Sequence, residues 1–397
     1  MKSTVVAPTP IKKTKKYTDR ILGIYDKNTP GPTIICICGM HGNEPSGVIA
    51  FEKVIEQLRH QQLPIKGRLM GVLGNMSALE KGERYNQYDL NRLWTAENMM
   101  SLQQDRDHRT FKDALEQKEL HETLTSLLGQ NQHPYYFIDL HTTSAKSTPY
   151  ISINDTLRNR EIALRYPLPI VLGLEEHLEG TILNYINKIG HISLGFEAGQ
   201  HDDPLSIKNH EAIIWLTLFN THCISGADIP ALKKHFEQLS GSINKGKNVY
   251  EVRYRHAIAS GEHFTMNPGF VNFQSVKKDQ ALAINGQGSV KSPEKGLIFM
   301  PLYQSKGDDG FFIIRKIRWV WLKFSAVLRR TKFHRVLHFL PGIYRYNALN
   351  YTLVINKKIA KWFVVEFFHL MGFRLKRKQG NFIIFIKREF DVDAPHH

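Results

Sequence analysis

Hydrophobic positions along the chain change period repeatedly. Thr33–Cys38 (TIICIC) is β-branched or apolar at every position, the pattern of a strand buried on both faces of a parallel sheet. After the Gly39–Glu44 turn, Pro45 opens a helical period to about Gln61, at a first-turn position where its missing N–H is harmless. Arg68–Leu73 predicts a second strand, Thr110–Leu128 a helix, and Tyr135–Leu140 (YYFIDL) a third strand ending at His141. Short strands are predicted at Tyr150–Ile153 and Ile170–Leu172, and a helix at Thr181–Lys188. His191–Phe196 predicts a strand running into Glu197-Ala198-Gly199, and Glu211–Cys223 a helix. Strands alternating with helices predict an α/β fold with a sheet between helical layers.

From about Asn244 to Met300, short strand-like pieces alternate with Gly, Asn and Pro, which predicts a small β-rich subdomain. Farther on, Ile317, Val320, Trp321, Phe324, Val327 and Leu328 follow helical spacing. Ile359, Trp362, Phe363, Phe367, Leu370 and Met371 predict a second helix. Phe373–Ile386 reads as a hairpin turning near Gln379-Gly380-Asn381. The expected division is a basic N-terminal arm (1–30), an α/β domain (31–240), a β-rich subdomain (241–305) and a basic aromatic C-terminal α+β module (306–397).

With 397 residues and 42% hydrophobic content the chain can bury a sizeable core, which excludes global disorder. No apolar run reaches the ~18 residues of a transmembrane helix. Met1–Arg20 carries several lysines but no apolar stretch, so no secretory signal is expected. Three cysteines are too few for a disulfide framework, and the expected compartment is the cytoplasm. The net charge of +16 is uneven: from Phe311 to the end there are 18 Lys and Arg against 4 Asp and Glu. The high charge therefore describes the tail. That tail fits a module with a solvated basic face, a membrane-surface contact, or a nucleic-acid binder. Its aromatics sit at core-like spacing rather than interleaved with the basic residues, so nucleic acid is not expected, and peripheral membrane contact stays open.

In open α/β sheets ligands sit outside the carboxyl ends of the strands. Three predicted strand ends carry candidate chemistry: His41 and Glu44, Asp139 and His141, and Glu197. Two His and one carboxylate leave a position open on zinc, the arrangement of a hydrolytic site, and a further carboxylate could move protons. His41-x-x-Glu44 alone is weak, since a chain with 19 His and 37 acids yields about two such pairs by chance. The convergence of three strand ends is the stronger signal. Asp139 shares a strand face with His141 and could orient it, or cap a loop. Cys36 and Cys38 read as small buried hydrophobes rather than metal-binding thiols.

GMHGNEPSG, YDLNRLW, IDLHTTS and GFEAG occur in the order found in the succinylglutamate desuccinylase/aspartoacylase family, and the chain resembles that family over roughly residues 30–305. The resemblance implies a zinc-carboxypeptidase-like mixed sheet between helices. It implies Zn2+ held by His41, Glu44 and His141, with Asp139 behind His141. Glu197 would be the catalytic carboxylate that activates the water and protonates the leaving amine. Arg84 would polarise the scissile carbonyl, while Asn91 and Arg92, and by a looser match Tyr303, would bind substrate. The implied activity is zinc-dependent amide hydrolysis of a small N-acyl amino acid by a zinc-activated water. Where the aspartoacylase branch has a Tyr and an Arg gripping aspartate carboxylates, this chain has Leu183 and Asn187, which argues against N-acetylaspartate. A metallocarboxypeptidase-like peptidase and a non-catalytic binding protein using the basic module are the alternatives. The intact ligand set and Glu197 argue against the latter.

Overall fold

A computed structural model describes residues 15–104, 106, 108–129, 134–241, 248–331, 333–347, 351–360 and 364–394. Its body is a mixed eleven-stranded sheet. The strands are β1 (Ile21–Asp26), β2 (Thr33–Cys38), β3 (Arg68–Leu73), β4 (Tyr135–Thr143), β5 (Tyr150–Ile153), β6 (Ile170–Leu172), β7 (Ile192–Gln200), β8 (Val249–Ala257), β9 (Thr265–Met266), β10 (Ser275–Val276), β11 (Ala281–Asn285), β12 (Gly288–Lys291), β13 (Gly296–Phe299) and β14 (Asp309–Lys316). Of these, β9, β11 and β12 form a separate three-stranded sheet, and the rest take the order β1-β3-β2-β4-β7-β5-β6-β8-β14-β13-β10.

Strand β2 is buried at every position, as its unbroken apolar run predicts. Its alternate side chains serve different layers. Ile34, Cys36 and Cys38 join the core under the helices Ser46–Gln61 and Leu205–Asn220, while Ile35 and Ile37 join the core under Lys112–Leu128 and Ile182–Lys188. β3 lies on one side of β2 and β4 on the other, all parallel. The sheet thus changes winding direction beside β2, and the crevice at the carboxyl ends of β2, β4 and β7 becomes the natural ligand position. Among the described residues no helix is long and apolar enough to cross a membrane.

Several elements differ from the sequence expectation. The arm contains an edge strand: β1 pairs antiparallel with β3. Arg20 anchors its start, bonding Leu73 O at 3.1 Å and the Glu116 carboxylate at 2.6 Å. The segment read as a β-rich subdomain supplies β8, β10 and β13 to the large sheet. β14, grouped by its basic neighbours with the tail, pairs with β8 and β13 and buries Phe311, Phe312, Ile313 and Ile314. The helix expected at Glu211–Cys223 begins already at Leu205.

Beyond β14 come the helix Trp319–Arg330, a 3-10 helix (Phe333–Phe339), β15 (Ile343–Asn347), β16 (Thr352–Asn356), the helix Val364–Leu370, β17 (Phe373–Gln379) and β18 (Phe382–Lys387). The last four strands form an antiparallel sheet of order β15-β16-β18-β17 around Leu353, Ile355, Phe368, Phe373 and Phe385. The β17–β18 hairpin turns at the expected place. Trp362 and Phe363, predicted to share the second helix, lie outside the described residues.

The apolar face predicted for the first tail helix is not its buried face. Leu322, Ser325 and Arg329 point inward, while Val320, Trp321, Phe324 and Val327 are exposed. Buried ions decide the rotation. Arg329 bonds Asp155 O and Oδ2, each at 2.7 Å, and Asp391 Oδ1 at 3.1 Å. Arg388 reaches Glu175 at 2.8 Å and Glu176 at 2.7 Å. An unpaired guanidinium costs far more to bury than an exposed Val does to leave in water, so the charges set the packing.

Candidate metal and hydrolytic site

Two features place His41 and Glu44. Gly39, at φ +65°, turns the chain out of β2. Gly42 then passes so close to the Ala78 backbone that a Cβ would lie 2.1 Å from its carbonyl carbon. Glu44 lies just before the helix that Pro45 caps and is fully enclosed. His141 is on β4, and Glu197, opposite it in the parallel ladder, is on β7. The strand predicted to run into Glu197 continues to Gln200, so Glu197 lies within it.

Glu44 lies between the two histidines. Its Oε1 is 2.9 Å from His41 Nδ1, and its Oε2 is 3.2 Å from His141 Nδ1 and accepts from the Thr142 N–H at 2.7 Å. Each histidine has its other nitrogen on an aspartate: His41 Nε2 is 3.2 Å from Asp89 Oδ1, and His141 Nε2 is 2.7 Å from Asp139 Oδ2. Ligand atoms of His41, Glu44 and His141 all fall within 4.8 Å of one another. This donor set fits a divalent cation. Both rings turn Nδ1 towards one carboxylate, and both are held from behind by an acid, the usual support of a metal-binding imidazole. Three acids, Glu44, Asp89 and Asp139, meet the two rings directly, so oxygen and nitrogen donors are gathered at one place.

The electrostatics separate the acids. Burial alone would raise the Glu44 carboxyl, but His41 and His141 hold it well below the usual range. Burial likewise opposes ionisation of Asp89, and His41 and Arg84 outweigh it. For His141, burial favours the neutral ring, yet Asp139 and Glu44 push its pKa well above the ordinary value. Glu197 goes the other way: burial lifts it to about 8 against the pull of His141, and Glu44 and Asp139 add to the rise. One of its oxygens, Oε2, is buried without a hydrogen-bond partner among the described residues.

Arg84 lies at the rim, 3.1 Å from Asp89 Oδ2 and 3.6 Å from Glu44 Oε1. Asn91 is tied on both sides: its Oδ1 accepts from the Ile182 N–H at 2.9 Å, and its Nδ2 is 3.5 Å from His141 Nε2. Arg92 donates to Asn91 O at 2.9 Å and to Asp309 Oδ2 at 2.8 Å. Tyr303 is not drawn into this cluster. Its hydroxyl accepts from the Phe270 N–H and donates to Asn267 O. The next residue, Gln304, does reach the rim, with Oε1 3.3 Å from Asn43 Nδ2 and 3.2 Å from His201 Nε2. Leu183 is apolar, and Asn187 is spent on Asn159, Ser193 and Leu183 O, so neither presents a charge to a ligand.

Asp89, His201 and Asp309 were missed from sequence. Asp89 was in plain view within YDLNRLW. His201 Nδ1 meets Thr142 Oγ1 at 2.8 Å. Asp309 comes from β14, and no local signal links it to Arg92.

Residues 30–213, which hold the His–Glu–His cluster and Glu197, match the succinylglutamate desuccinylase/aspartoacylase catalytic domain. Over that stretch the chain resembles the succinylglutamate desuccinylase/aspartoacylase family. A succinylglutamate desuccinylase of Yersinia pestis (strain Pestoides F) is 30% identical over 122 residues, 31% of this chain and 35% of that protein. One of Yersinia enterocolitica is 36% identical over 62 residues, 16% of this chain and 19% of its own length. The chain thus spans about a third or less of the curated relatives it matches. Solved structures extend the likeness in fold. A succinylglutamate desuccinylase/aspartoacylase from Rhodobacter sphaeroides is 18% identical, with TM-score 0.53 over 73% of this chain and 87% of that one. The product-bound ectoine utilization protein of Ruegeria pomeroyi is 16% identical, with TM-score 0.53 over 74% and 87%.

Proposed function

We propose that this chain is a member of that family and hydrolyses the amide bond of a small N-acyl amino acid, with zinc as its cofactor. The observation that carries the reading is the His41–Glu44–His141 triangle, braced by Asp89 and Asp139 and faced by Glu197. His41, Glu44 and His141 would hold the ion. Zinc, when bound, would supply Lewis-acid polarisation of the attacking water and the scissile carbonyl.

The chain's own groups do the rest. Glu197 takes a proton from the water and returns it to the leaving amine, and a carboxyl lifted towards neutrality by burial suits both tasks. Arg84 aims a guanidinium at the developing oxyanion. Arg92, held in place by Asn91 O and Asp309, would turn its guanidinium fork to the substrate carboxylate. The absence of charge at Leu183 and Asn187 favours acyl or amino-acid groups other than aspartate.

The test is a panel of N-acyl amino acids assayed for primary-amine release by the purified protein. Turnover should appear with at least one member, vanish with a chelator and return with zinc. A protein that binds zinc yet releases amine from none of the panel would overturn the reading.

A further inference from the structure

The helix Trp319–Arg330 packs with its polar side in. Leu322, Ser325 and Arg329 are 8%, 1% and 1% exposed, whereas Val320, Val327, Trp321 and Phe324 are 72%, 59%, 49% and 48% exposed. Val320, Phe324 and Val327 stand at i, i+4 and i+7, one stripe along the outer face, and the Trp321 ring meets Phe324 at 6.2 Å. The 3-10 helix that follows continues the pattern with Phe333, Val336 and Phe339 exposed. An apolar surface of this extent marks an interaction site.

Charge says what covers it. No acidic residue occurs between Asp309 and Glu366. Lys316, Arg318, Lys323 and Arg330 are exposed on or beside the helix, and none has an ion pair among the described residues. Beneath the helix a cleft of about 200 Å³ opens, with Leu157, Leu164 and Leu172 of the body and Glu161, Lys323 and Arg330 among its lining. Apolar side chains projecting from a basic rim match a bilayer interface with anionic headgroups. A second copy of the chain fits poorly, because a two-fold contact would bring the same basic rims together. Nucleic acid is the weaker match, because Val320 and Val327 flank Phe324, and a bilayer interface takes aliphatic and aromatic side chains alike whereas a base stacks only on the rings.

We propose that the helix Trp319–Arg330 and the turn after it dock this protein on an anionic lipid surface, with Val320, Trp321, Phe324 and Val327 entering the interface and Lys323 and Arg330 meeting headgroup phosphates. The docking stands or falls separately from the hydrolytic reading.

The experiment is co-sedimentation of the full chain with phosphatidylcholine vesicles, with and without phosphatidylglycerol. The protein should pellet with the anionic vesicles at about 50 mM salt and bind about tenfold less at about 500 mM. Val320→Glu with Phe324→Glu should abolish pelleting. Lys323→Glu with Arg330→Glu should remove the preference for phosphatidylglycerol. Both pairs are on the surface, so circular dichroism and amine release should match the parent protein. Equal pelleting of parent and variants, or none by the parent, would overturn the proposal. So would a dimer of the parent that the Val320/Phe324 variant dissolves, or oligonucleotide binding that the lysine and arginine changes abolish while vesicles are ignored.

Discussion

Arg329 holds the C-terminal module to the body, and replacing it with Met should show how strongly. The side chain is 0% exposed and meets Asp155 and Asp391 as ion pairs, besides the carbonyls of Asp155, His369 and Leu370. Methionine keeps much of the volume and removes every donor, leaving two buried carboxylates and three carbonyls short of a partner. Breaking a buried pair from one side typically costs about 3–5 kcal/mol. Asp155 keeps Arg160 and, at 3.9 Å, Arg388, so the lower end applies, about 3 kcal/mol. Urea unfolding should register that loss, and hydrogen exchange should place it first in the helix Trp319–Arg330 and its contacts with Asp155. The exposed neighbour gives the control, because Arg330→Met should stay within about 0.5 kcal/mol. A loss below about 1 kcal/mol for Arg329→Met, with exchange unchanged, would refute the argument that buried ions set the helix's rotation.

Glu197→Gln should keep its zinc and lose about 10²–10⁴-fold in turnover, and unchanged amine release would move the proton carrier elsewhere. Arg92→Lys should mainly raise KM, because a point charge replaces a planar fork. Arg84→Ala should mainly lower kcat, and steady-state kinetics showing the two patterns exchanged would reassign the roles. Burial opposes ionisation of Asp155, but Arg160, Arg329 and Arg388 hold its carboxyl well below the usual range. Its stabilisation is therefore complete above the ordinary carboxylate value near about 4 and is lost as pH falls below that. Urea midpoints measured from pH 6 to pH 3 should fall more steeply for the parent than for Asp155→Asn.

The site was legible in the sequence wherever a strand carried its chemistry at its own end. TIICIC, YYFIDL and the run into GFEAG declare buried parallel strands, and the residues that follow them converge because parallel strands share one carboxyl edge. Asp139 could be paired with His141 because a strand repeats every two residues. Long-range pairings left no such trace. Arg92 finds Asp309 across the sheet, and nothing local to either residue announces the bond. β14 was read with the tail because its neighbours are basic, although Phe311–Ile314 is apolar enough for the centre of a sheet. Periodicity located the helix Trp319–Arg330 but reversed its inner and outer faces, because period reports where apolar residues align and not which face a buried Arg329 must take. Tyr303 matches the family only loosely in spacing, and nothing local in the sequence shows that its hydroxyl bonds Asn267 O and the Phe270 N–H.

The central claim is that His41, Glu44 and His141 form a zinc site. Metal analysis of the purified chain, beside the His41→Ala and His141→Ala variants, tests it most directly. The account predicts close to one zinc per chain in the parent, and loss of metal together with amine-releasing activity in both variants. Full zinc retention by either variant, with its fold intact by circular dichroism, would contradict it.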